Sequence, residues 1–510
     1  MLVTLPVKRV LNFAPRMFAR HFEEKSRHGL RKLLYFAAVE GPLIALRKAR
    51  SKLDERKVEE EIKLVVALVE NSGGRYIGFT RWLGGSYVFD TRLVFTSDSA
   101  AIEEVRLTDA VTELLESYLP VSSCPLPAEL PKLILESNPQ LRRLRDGELV
   151  TGHETASNRF LPGSVSGGDR KKTRRGSRVY LLGFGSYVRE NILPHFEGHI
   201  AGALDYKSRL MEQHLRVRGI PLYTQFDDIL EQIQADPGPL VVVATYHSDH
   251  ASMTERVLEV NPGARVFIEK PPVIHPQEAV RLAALRAEGK WIDVGFNRRY
   301  APLIRKMRAH IQGLPRPVIF SAIVKELKIP RTHWYLWGNQ GTRITGNVCH
   351  WIDLAFYFIG SSAKEISLLN SGDSVGIGLT FQDGSLATIV ASDVGNDLAG
   401  VQEFIEVRAG NTTLALNDFQ YLLARSGAQR RTERSLWRDR GHSAMYREVR
   451  RRALENGRPE YPAEDMLQVS GVTARASEML LSGERVYRFK DDRDCFSPLA
   501  CAGLSAVSPL

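Results

Sequence analysis

Cysteine is scarce in this chain, and its four cysteines form no metal-binding or disulfide pattern. Cys124 and Cys349 are isolated, only Cys495 and Cys501 are near each other, and no C-x-x-C pair occurs. A structural zinc site needs three or four convergent ligands, and a secreted disulfide framework needs a recurrent set of paired cysteines. The cysteines therefore argue against both, and we expect a reducing, cytoplasmic compartment and no metal site.

Long apolar runs are also lacking, and acidic residues are fewer than basic ones. The apolar stretch at residues 33–46 is broken by Glu40, Gly41 and Pro42, whereas a transmembrane helix needs roughly 20 apolar residues. Residues 1–60 hold 14 basic against 7 acidic residues. This basic arm permits a peripheral contact with an anionic membrane, but no nucleic-acid-binding motif accompanies it. We expect solvated surface here and no nucleic-acid partner.

The chain divides at a stretch rich in glycine, serine and basic residues. Residues 159–177 contain almost no apolar residue after Val165, which is typical of a linker. Residues 1–158 show mixed helix and strand patterns, with a hairpin pattern around Gly84 and Gly85, and reveal no function. We therefore predict a separate α+β region of unknown fold before the linker and an α/β part after it.

The part after the linker begins with five short apolar strands that alternate with helical segments. Strands that are apolar throughout are typical of a parallel sheet covered by helices on both faces, as in the doubly wound Rossmann fold. We predict such a domain over residues 178–297. The strand segments are RVYLL, HIAGALD, PLVVVAT, ARVFIEKPP and KWIDVGFNRRY, which begin at residues 178, 199, 239, 264 and 290.

A glycine turn joins the first of these strands to its helix, as a dinucleotide site requires. Gly183 and Gly185 occupy the first two positions of G-x-G-x-x-G, where the backbone approaches a pyrophosphate at a helix N-terminus. The third position is Val188, where glycine or alanine normally allows the helix to pack closely on the strand. We therefore expect the helix to lie slightly further from the strand, or a smaller neighbouring side chain to make room for the valine. Asp205 ends the second strand, where a carboxylate accepts hydrogen bonds from ribose hydroxyls and repels a 2′-phosphate. This favours NAD, and two basic residues shortly after Asp205 leave NADP as the alternative.

The order of motifs in this part resembles the Gfo/Idh/MocA family of oxidoreductases. The motifs are GFGSYV, VFIEKPP, VGFNRRY and GTRITGNVCHWIDLAFYFIG, and the similarity covers about residues 178–490. It is closest to the C-terminal half of two-domain bacterial members that accompany polysaccharide genes. The resemblance implies an α/β domain at 298–490 with a mostly antiparallel open sheet, which often forms an oligomer face, and leaves a tail at 491–510. It also implies hydride transfer between a nicotinamide and a sugar, nucleotide sugar or cyclitol.

The resemblance assigns two catalytic residues. Lys270, in the EKP motif at 269–271, would polarise the reacting oxygen, and His350 would take the hydroxyl proton as hydride leaves. Many relatives carry an acid three or four residues before this histidine, where this chain has Gly346 and Asn347. Asparagine binds a hydroxyl but accepts no proton, so catalysis would rest on Lys270 and His350 or be lost.

Asp353 shares a helix face with His350, because the two residues are three apart at the start of an apolar helix that Gly360 closes. We expect Asp353 to orient the imidazole. Arg298 and Lys325 are expected to hold a substrate phosphate or carboxylate, and ordinary surface salt bridges are the alternative for both.

The remaining candidates follow strands of the sheet or lie in a loop that the family places over the substrate. The expected cofactor contacts are Gly183, Phe184, Gly185, Ser186, Tyr187, Asp205, Thr245, Tyr246, His247, His250, Glu269, Lys270 and Pro271. The expected substrate contacts are Asn297, Arg298, Tyr300, Lys325, His333, Trp334, Asn347 and Asp353.

Three functional hypotheses remain at this point. The first is a homo-oligomeric NAD(P)-dependent oxidoreductase that acts on a sugar, nucleotide sugar or cyclitol. The second is a non-catalytic relative that binds dinucleotide or sugar as a scaffold or sensor, suggested by Val188 and Asn347. The third is an NAD-dependent lyase or glycosidase, which uses the same hydride step transiently. The sequence names neither the substrate nor the direction of the reaction.

Overall fold

The structure is a computed structural model that describes most of the chain after the linker and parts of the chain before it. Ser186, His333 and Trp334 lie outside the described residues. None of the helices within the described ranges combines the length and the apolar character that a membrane crossing demands. The described ranges are 34–46, 178–185, 187–205, 219–223, 226–329, 340–396 and 400–489, with the backbone of six strands between residues 64 and 149.

The region before the linker contains a four-stranded antiparallel sheet with the spatial order β3-β2-β1-β4. Strands β2 and β3 pair with Leu83 opposite Ser86. The hairpin predicted around Gly84 and Gly85 is therefore confirmed. The strands are β1 Leu64–Asn71, β2 Gly74–Leu83, β3 Ser86–Phe89 and β4 Ala101–Val105, followed by the pair β5 Leu144–Arg145 and β6 Glu148–Leu149.

A six-stranded parallel sheet, in the order β12-β11-β10-β7-β8-β9, forms the predicted Rossmann fold. The strand order reverses between β7 and β10, so the carboxyl ends of these two strands open a crevice of the kind that binds nucleotides. The strands are β7 Val179–Leu182, β8 Ile200–Leu204, β9 Leu222–Tyr223, β10 Leu240–Val243, β11 Arg265–Ile268 and β12 Trp291–Val294. The helices are α1, which comprises Val188–Ile192 and Leu193–Phe196, α2 Phe226–Gln234, α3 His250–Val260 and α4 Pro276–Ala287.

A second sheet of nine strands follows and is antiparallel except for the parallel pair of β13 and β16. Its spatial order is β20-β19-β18-β17-β13-β16-β15-β14-β21, so the predicted mostly antiparallel sheet is confirmed. The strands are β13 Val318–Lys325, β14 Ala363–Ser371, β15 Ser374–Phe381, β16 Leu386–Ser392, β17 Gln402–Ala409, β18 Thr412–Asn417, β19 Tyr421–Ser426, β20 Gln429–Arg434 and β21 Val486–Arg488. The helices of this part are α5 Pro302–Ile311, α6 Cys349–Ile359, α7 His442–Leu454 and α8 Ala463–Ser482.

The two faces of the nine-stranded sheet differ because side chains alternate along each strand. On one face, Ala322 lies opposite Ile389 and Ile405, and all three are buried in the core that contains α6 and α8. On the other face, Ile323 lies opposite Val390 and Phe404, which are 61%, 49% and 41% exposed in that order. The sheet is thus open on this side, as the resemblance implied.

Residues 34–46, from the region before the linker, are helical at 34–40 and 42–46 and pack against the part after it. The backbone N–H of Arg438 donates to the carbonyl of Val39 at 2.7 Å. The Glu40 carboxylate lies 3.5 Å from Nη1 of Arg440, and Gly41 lies against the ring of Trp437. Residues 34–46 therefore pack on the part of the chain after the linker, although the sequence predicted a separate region.

Candidate active site

The glycine turn after β7 has the shape of a pyrophosphate cradle. Gly183 has φ +95°, and a Cβ there would lie 2.4 Å from the carbonyl oxygen of Ala244, so only glycine fits. A Cβ at Gly185 would meet nothing within 4 Å, so the backbone there is open to a ligand. Close packing at the first glycine and open space at the second are what a dinucleotide site needs.

Asp205 lies directly beside this turn. Its Oδ2 accepts a hydrogen bond of 2.6 Å from the backbone N–H of Phe184, although the two residues are 21 apart in sequence. The side chain of Phe184 is itself buried in the core, so this residue contributes its backbone to the turn. The placement of Asp205 agrees with a dinucleotide site, and its contact with the ribose stays a prediction.

Val188, at the third position of the glycine motif, is accommodated by a wide first turn of α1. The N–H of Leu193 donates to the carbonyl of Val188, five residues earlier, instead of to the residue four back. The valine side chain is buried in the same cluster as Phe184 and Phe267. The extra width of the turn therefore makes room for the valine.

Lys270 follows β11 at the carboxyl edge of the parallel sheet. Its Nζ donates a hydrogen bond of 2.7 Å to the carbonyl of Gly346. Gly346 lies in a second wide turn, Ile344–Val348, in which the N–H of Cys349 reaches back to the carbonyl of Ile344. Single wide turns of this kind are frequent at functional sites. The turn thus brings the lysine to the segment that leads into α6.

His250 fixes the loop that carries Lys270. Its Nδ1 is 2.7 Å from the carbonyl oxygen of Pro271, and its Nε2 is 3.2 Å from that of Thr245. Burial lowers the pKa of His250 to about 4, so the ring is neutral at pH 7. Because the residue is only 1% exposed, the structure places it behind the site and not among the expected cofactor contacts.

Glu269 is connected to the glycine turn through a tyrosine of α7. The Tyr446 hydroxyl donates to Oε1 of Glu269, and it lies 2.9 Å from the hydroxyl of Tyr187. Burial raises the pKa of Glu269 to about 7. The acid of the EKP motif therefore lies in the core and is connected to the exposed Tyr187 through the hydroxyl group of Tyr446.

His350 is the second residue of α6 and is 7% exposed. Burial, together with the charges of Arg298 and Lys270, lowers the pKa of His350 well below its usual value of 6.5. Its Nδ1 is buried without a hydrogen-bond partner among the described residues. The imidazole is therefore neutral at pH 7 and has one acceptor nitrogen, while the same burial and charges disfavour its protonated form.

The prediction that Asp353 orients His350 is wrong. The carboxylate of Asp353 lies 2.7 Å from Nη2 of Arg299 and accepts a hydrogen bond of 2.7 Å from the Tyr461 hydroxyl. Asp353 is fully buried, so it is also excluded from the expected substrate contacts. A buried carboxylate needs strong partners, and Arg299 is a stronger one than a neutral imidazole.

Arg298 belongs to a buried ion network. Its Nε donates to Glu403 at 2.6 Å, and its guanidinium lies 4.7 Å from the centre of the Trp351 ring. Burial alone would raise the pKa of Glu403, but the charges of Arg298 and Arg440 lower it to about 2. Among the described contacts Arg298 thus binds Glu403 and Trp351 in the core. We had expected it to hold a substrate phosphate or carboxylate together with Lys325.

The other predicted residues fall into two groups. Asn297 and Tyr300 are buried, and Asn297 donates to the carbonyl of Arg440 at 2.8 Å, so both support the site from behind. Thr245 and Tyr246 are partly exposed at the carboxyl end of β10, whereas the neighbouring His247 is buried with Nδ1 3.3 Å from the carbonyl oxygen of Gln340.

Comparison with known proteins agrees with this arrangement. Residues 177–296 match the sequence model of the oxidoreductase family with an NAD-binding Rossmann fold, GFO_IDH_MocA. This part of the chain belongs to the Gfo/Idh/MocA family. The resemblance that the EKP and GFNRRY motifs indicated is therefore confirmed.

The individual proteins that this chain resembles are distant from it. The uncharacterised oxidoreductase YrbE of Bacillus subtilis is 28% identical over 155 residues, which are 28% of this chain and 44% of that protein. The chain spans less than half the length of the curated relatives it matches. An oxidoreductase domain protein from Kribbella flavida has a TM-score of 0.53 at 18% identity, over 62% of this chain and all of that one. A UDP-N-acetylglucosamine 3-dehydrogenase from Acidithiobacillus ferrooxidans has a TM-score of 0.50 at 17% identity, over 58% and 95% of the two chains.

Sequence reasoning missed several charged residues near Lys270 and His350. Glu326 directly follows β13, is 2% exposed, and accepts hydrogen bonds from Arg343 at 3.2 Å and from Nδ2 of Asn347 at 2.9 Å. Glu403 and Arg440 form the network around Arg298. The one local signal was the position of Glu326 at the end of a strand with alternating burial, where a charge is unexpected.

Proposed function

We propose that this protein is an NAD-dependent oxidoreductase that transfers a hydride between the nicotinamide and a hydroxyl-bearing carbon of a sugar, nucleotide sugar or cyclitol. The observation that carries the proposal is the 2.7 Å hydrogen bond between Lys270 Nζ and the Gly346 carbonyl, four residues before His350. It places an ammonium group beside the segment that holds a neutral, buried imidazole, at the edge of the sheet where the glycine turn lies. The fold shared with a nucleotide-sugar dehydrogenase supports the substrate class.

The residues of the glycine turn fit the nicotinamide dinucleotide that the family implies. The open backbone at Gly185 would receive the pyrophosphate, and Asp205 would bind the adenosine ribose and disfavour a 2′-phosphate. When bound, NAD⁺ would accept the hydride from the carbinol carbon. The cradle formed by Gly183 and Gly185 therefore supports a dinucleotide, and Asp205 supports NAD over NADP.

Two side chains would act at the substrate oxygen, one on its developing negative charge and the other on its proton. The Lys270 ammonium would stabilise negative charge as it develops on that oxygen. His350, which is neutral at pH 7, would take the hydroxyl proton. The roles need no carboxylate at position 346 or 347, because the acceptor nitrogen is supplied by the buried imidazole.

Turnover by the full-length protein tests the proposal. With NAD⁺ and a panel of sugars, nucleotide sugars and cyclitols, we expect reduction of NAD⁺ by wild type and a loss of about 10² to 10³-fold in kcat for Lys270→Ala. The Kd for NADH should stay within a few-fold and should be lower than that for NADPH, because a group that acts on developing charge changes rate more than ground-state binding.

The control is Lys364→Ala, which removes an exposed lysine of β14 and should leave both kcat and the Kd for NADH unchanged. Equal turnover by wild type and Lys270→Ala contradicts the assignment of the lysine. Failure of wild type to reduce NAD⁺ with any member of the panel, despite tight NADH binding, contradicts the proposed substrate class.

A further inference from the structure

Glu326 is a buried carboxylate that no part of the proposed chemistry uses. It is 2% exposed, and a carboxylate removed from water is destabilising unless charged or hydrogen-bonded partners compensate. Its Oε2 accepts from Nη1 of Arg343 at 3.2 Å and from Nδ2 of Asn347 at 2.9 Å. Both partners lie on the segment that contains Gly346, the residue whose carbonyl holds Lys270. Glu326 is thus connected to the lysine site through this short stretch of chain.

The contact with Glu326 fixes which way the amide of Asn347 faces. The Arg343 guanidinium, 3.2 Å from the same Oε2, favours the ionised carboxylate, which only accepts hydrogen bonds and therefore binds the NH₂ group of asparagine and not its oxygen. Oδ1 of Asn347 accepts no hydrogen bond from the described residues, and the side chain is only partly buried. The amide oxygen therefore remains as an unused acceptor one residue from the carbonyl that binds Lys270.

We infer that Glu326 is a positioning residue, which holds Asn347 so that its Oδ1 accepts a hydrogen bond from a substrate hydroxyl close to the reacting carbon. The inference rests on the proposed function and narrows it. A fixed acceptor selects a substrate that carries a hydroxyl donor beside the carbon to be oxidised, as a polyol or a sugar ring does. A bound substrate would exclude water from Oδ1, and an acceptor left unpaired there is costly, so a substrate that lacks this hydroxyl is disfavoured.

The full-length protein with Glu326→Gln tests the inference. Glutamine keeps the size of the side chain but offers both a donor and an acceptor, so the amide of Asn347 is no longer held in one orientation. We expect KM for the substrate found in the panel to rise about tenfold, while the Kd for NADH stays within twofold.

The matched control is Asp393→Asn. Asp393 lies 3.8 Å from Nη2 of the same Arg343, so the substitution removes a neighbouring negative charge and leaves the contact of Asn347 unchanged. We expect KM to change less than twofold. An equal rise in KM for both variants overturns the inference, because the effect would then come from the charge of Arg343.

A double-mutant cycle separates positioning from general damage to the fold. If Glu326 acts through Asn347, then Glu326→Gln adds nothing to KM when Asn347 is already alanine. The pair Glu326→Gln with Asn347→Asp reverses the direction of the hydrogen bond and again leaves a carboxylate oxygen as the acceptor. We expect this pair to bring KM most of the way back to the wild-type value, whereas additive rises in KM in both combinations overturn the inference.

The side-chain amide of Asn347 provides a measurement that needs no turnover. In protein labelled with ¹⁵N-asparagine, the amide signal that disappears in Asn347→Ala should move in Glu326→Gln and stay in place in Asp393→Asn. An unmoved signal in Glu326→Gln overturns the inference even in an active enzyme. If wild type is inactive on the whole panel, the proposed function fails, and the amide signal still decides whether Glu326 orients Asn347.

Discussion

A single buried acid shows how strongly long-range contacts set the chemistry of individual residues in this protein. Glu269 belongs to a short local motif, yet its hydroxyl partner Tyr446 is 177 residues away on α7. Burial, which no neighbour in sequence reveals, raises the pKa of Glu269 to about 7. This carboxyl group therefore loses its proton close to neutral pH, and not near its ordinary pKa of 4.5.

The raised pKa of Glu269 makes stability depend on pH. Between about pH 4.5 and 7 the folded protein holds a proton on Glu269 that the unfolded chain has released, so the free energy of unfolding falls as the pH rises through this window. The loss should be on the order of a few kcal/mol. We expect urea unfolding at pH 5 and pH 8 to show that the change in the free energy of unfolding between these pH values differs between wild type and Glu269→Gln by this amount.

Glu259→Gln is the matched control for this measurement, because Glu259 is exposed on α3. It should keep the pH dependence of wild type. The same decrease in Glu269→Gln as in wild type would show that another group is responsible.

The residues of the site that the sequence predicted are those in compact motifs. The glycine turn and the EKP motif are each only a few residues long, so the turn geometry at Gly183 and Gly185 and the position of Lys270 after its strand followed from local sequence, while their contacts with cofactor and substrate stay predictions. The partners of Asp353 and Arg298 were not predicted because Tyr461 and Glu403 are more than 100 residues away from them. Local spacing showed that His350 and Asp353 were close, but it did not reveal the arginine that takes the carboxylate.

At the scale of elements, the two glycines of the turn after β7 meet different requirements: one is needed for the fold and the other leaves space for a ligand. Gly183 is needed for the fold, because its φ of +95° and the nearby Ala244 carbonyl exclude a side chain. Gly185 has no such constraint and faces open space. The two glycines should therefore respond differently to the same substitution.

We expect Gly183→Ala to lower the free energy of unfolding by about 3 kcal/mol, since backbone strain and a steric clash both result. Gly185→Ala should unfold like wild type but bind NADH about tenfold more weakly, because its methyl group occupies the space of the pyrophosphate. Thermal unfolding and NADH titration of both variants check this. The expectation fails if Gly185→Ala loses stability as Gly183→Ala does, or if it keeps full affinity.

At the scale of the whole molecule, the chain before the linker is tied to the part that carries the site. Glu40 reaches Arg440, and Arg440 donates to Glu403, which in turn binds Arg298. The charge on this early segment is therefore connected by contiguous ion pairs to the guanidinium that lowers the pKa of His350. Cleavage of the linker should not by itself separate the two parts.

Limited digestion with trypsin tests this connection. The basic stretch at 170–175 should be cut first, and the two fragments should elute together in gel filtration because residues 34–46 remain bound. Glu40→Lys places a third cation beside Arg438 and Arg440 and should release the N-terminal fragment. Leu43→Lys, at a residue that is 72% exposed in the same segment, should not. Fragments that separate in wild type would contradict the contact.

The overall fold was more predictable than these contacts. Five strands of the parallel sheet and the end of α6 at Gly360, which has φ +65°, follow from apolar runs and from glycine chemistry within each segment. The docking of residues 34–46 was missed because a basic, weakly apolar sequence gives no sign of the surface it will meet. Patterns within a segment thus predicted the elements, and contacts between distant segments remained hidden.

The wide turn at Ile344–Val348 also sets the rotation of α6 about its own axis. One inserted residue changes the phase of a helix by about 100°, which is more than a quarter of its circumference. Arg343, before the insertion, and His350, after it, therefore follow different angular registers. Deletion of a single residue here would retain both Lys270 and His350 but rotate the imidazole by about 100° relative to Arg343.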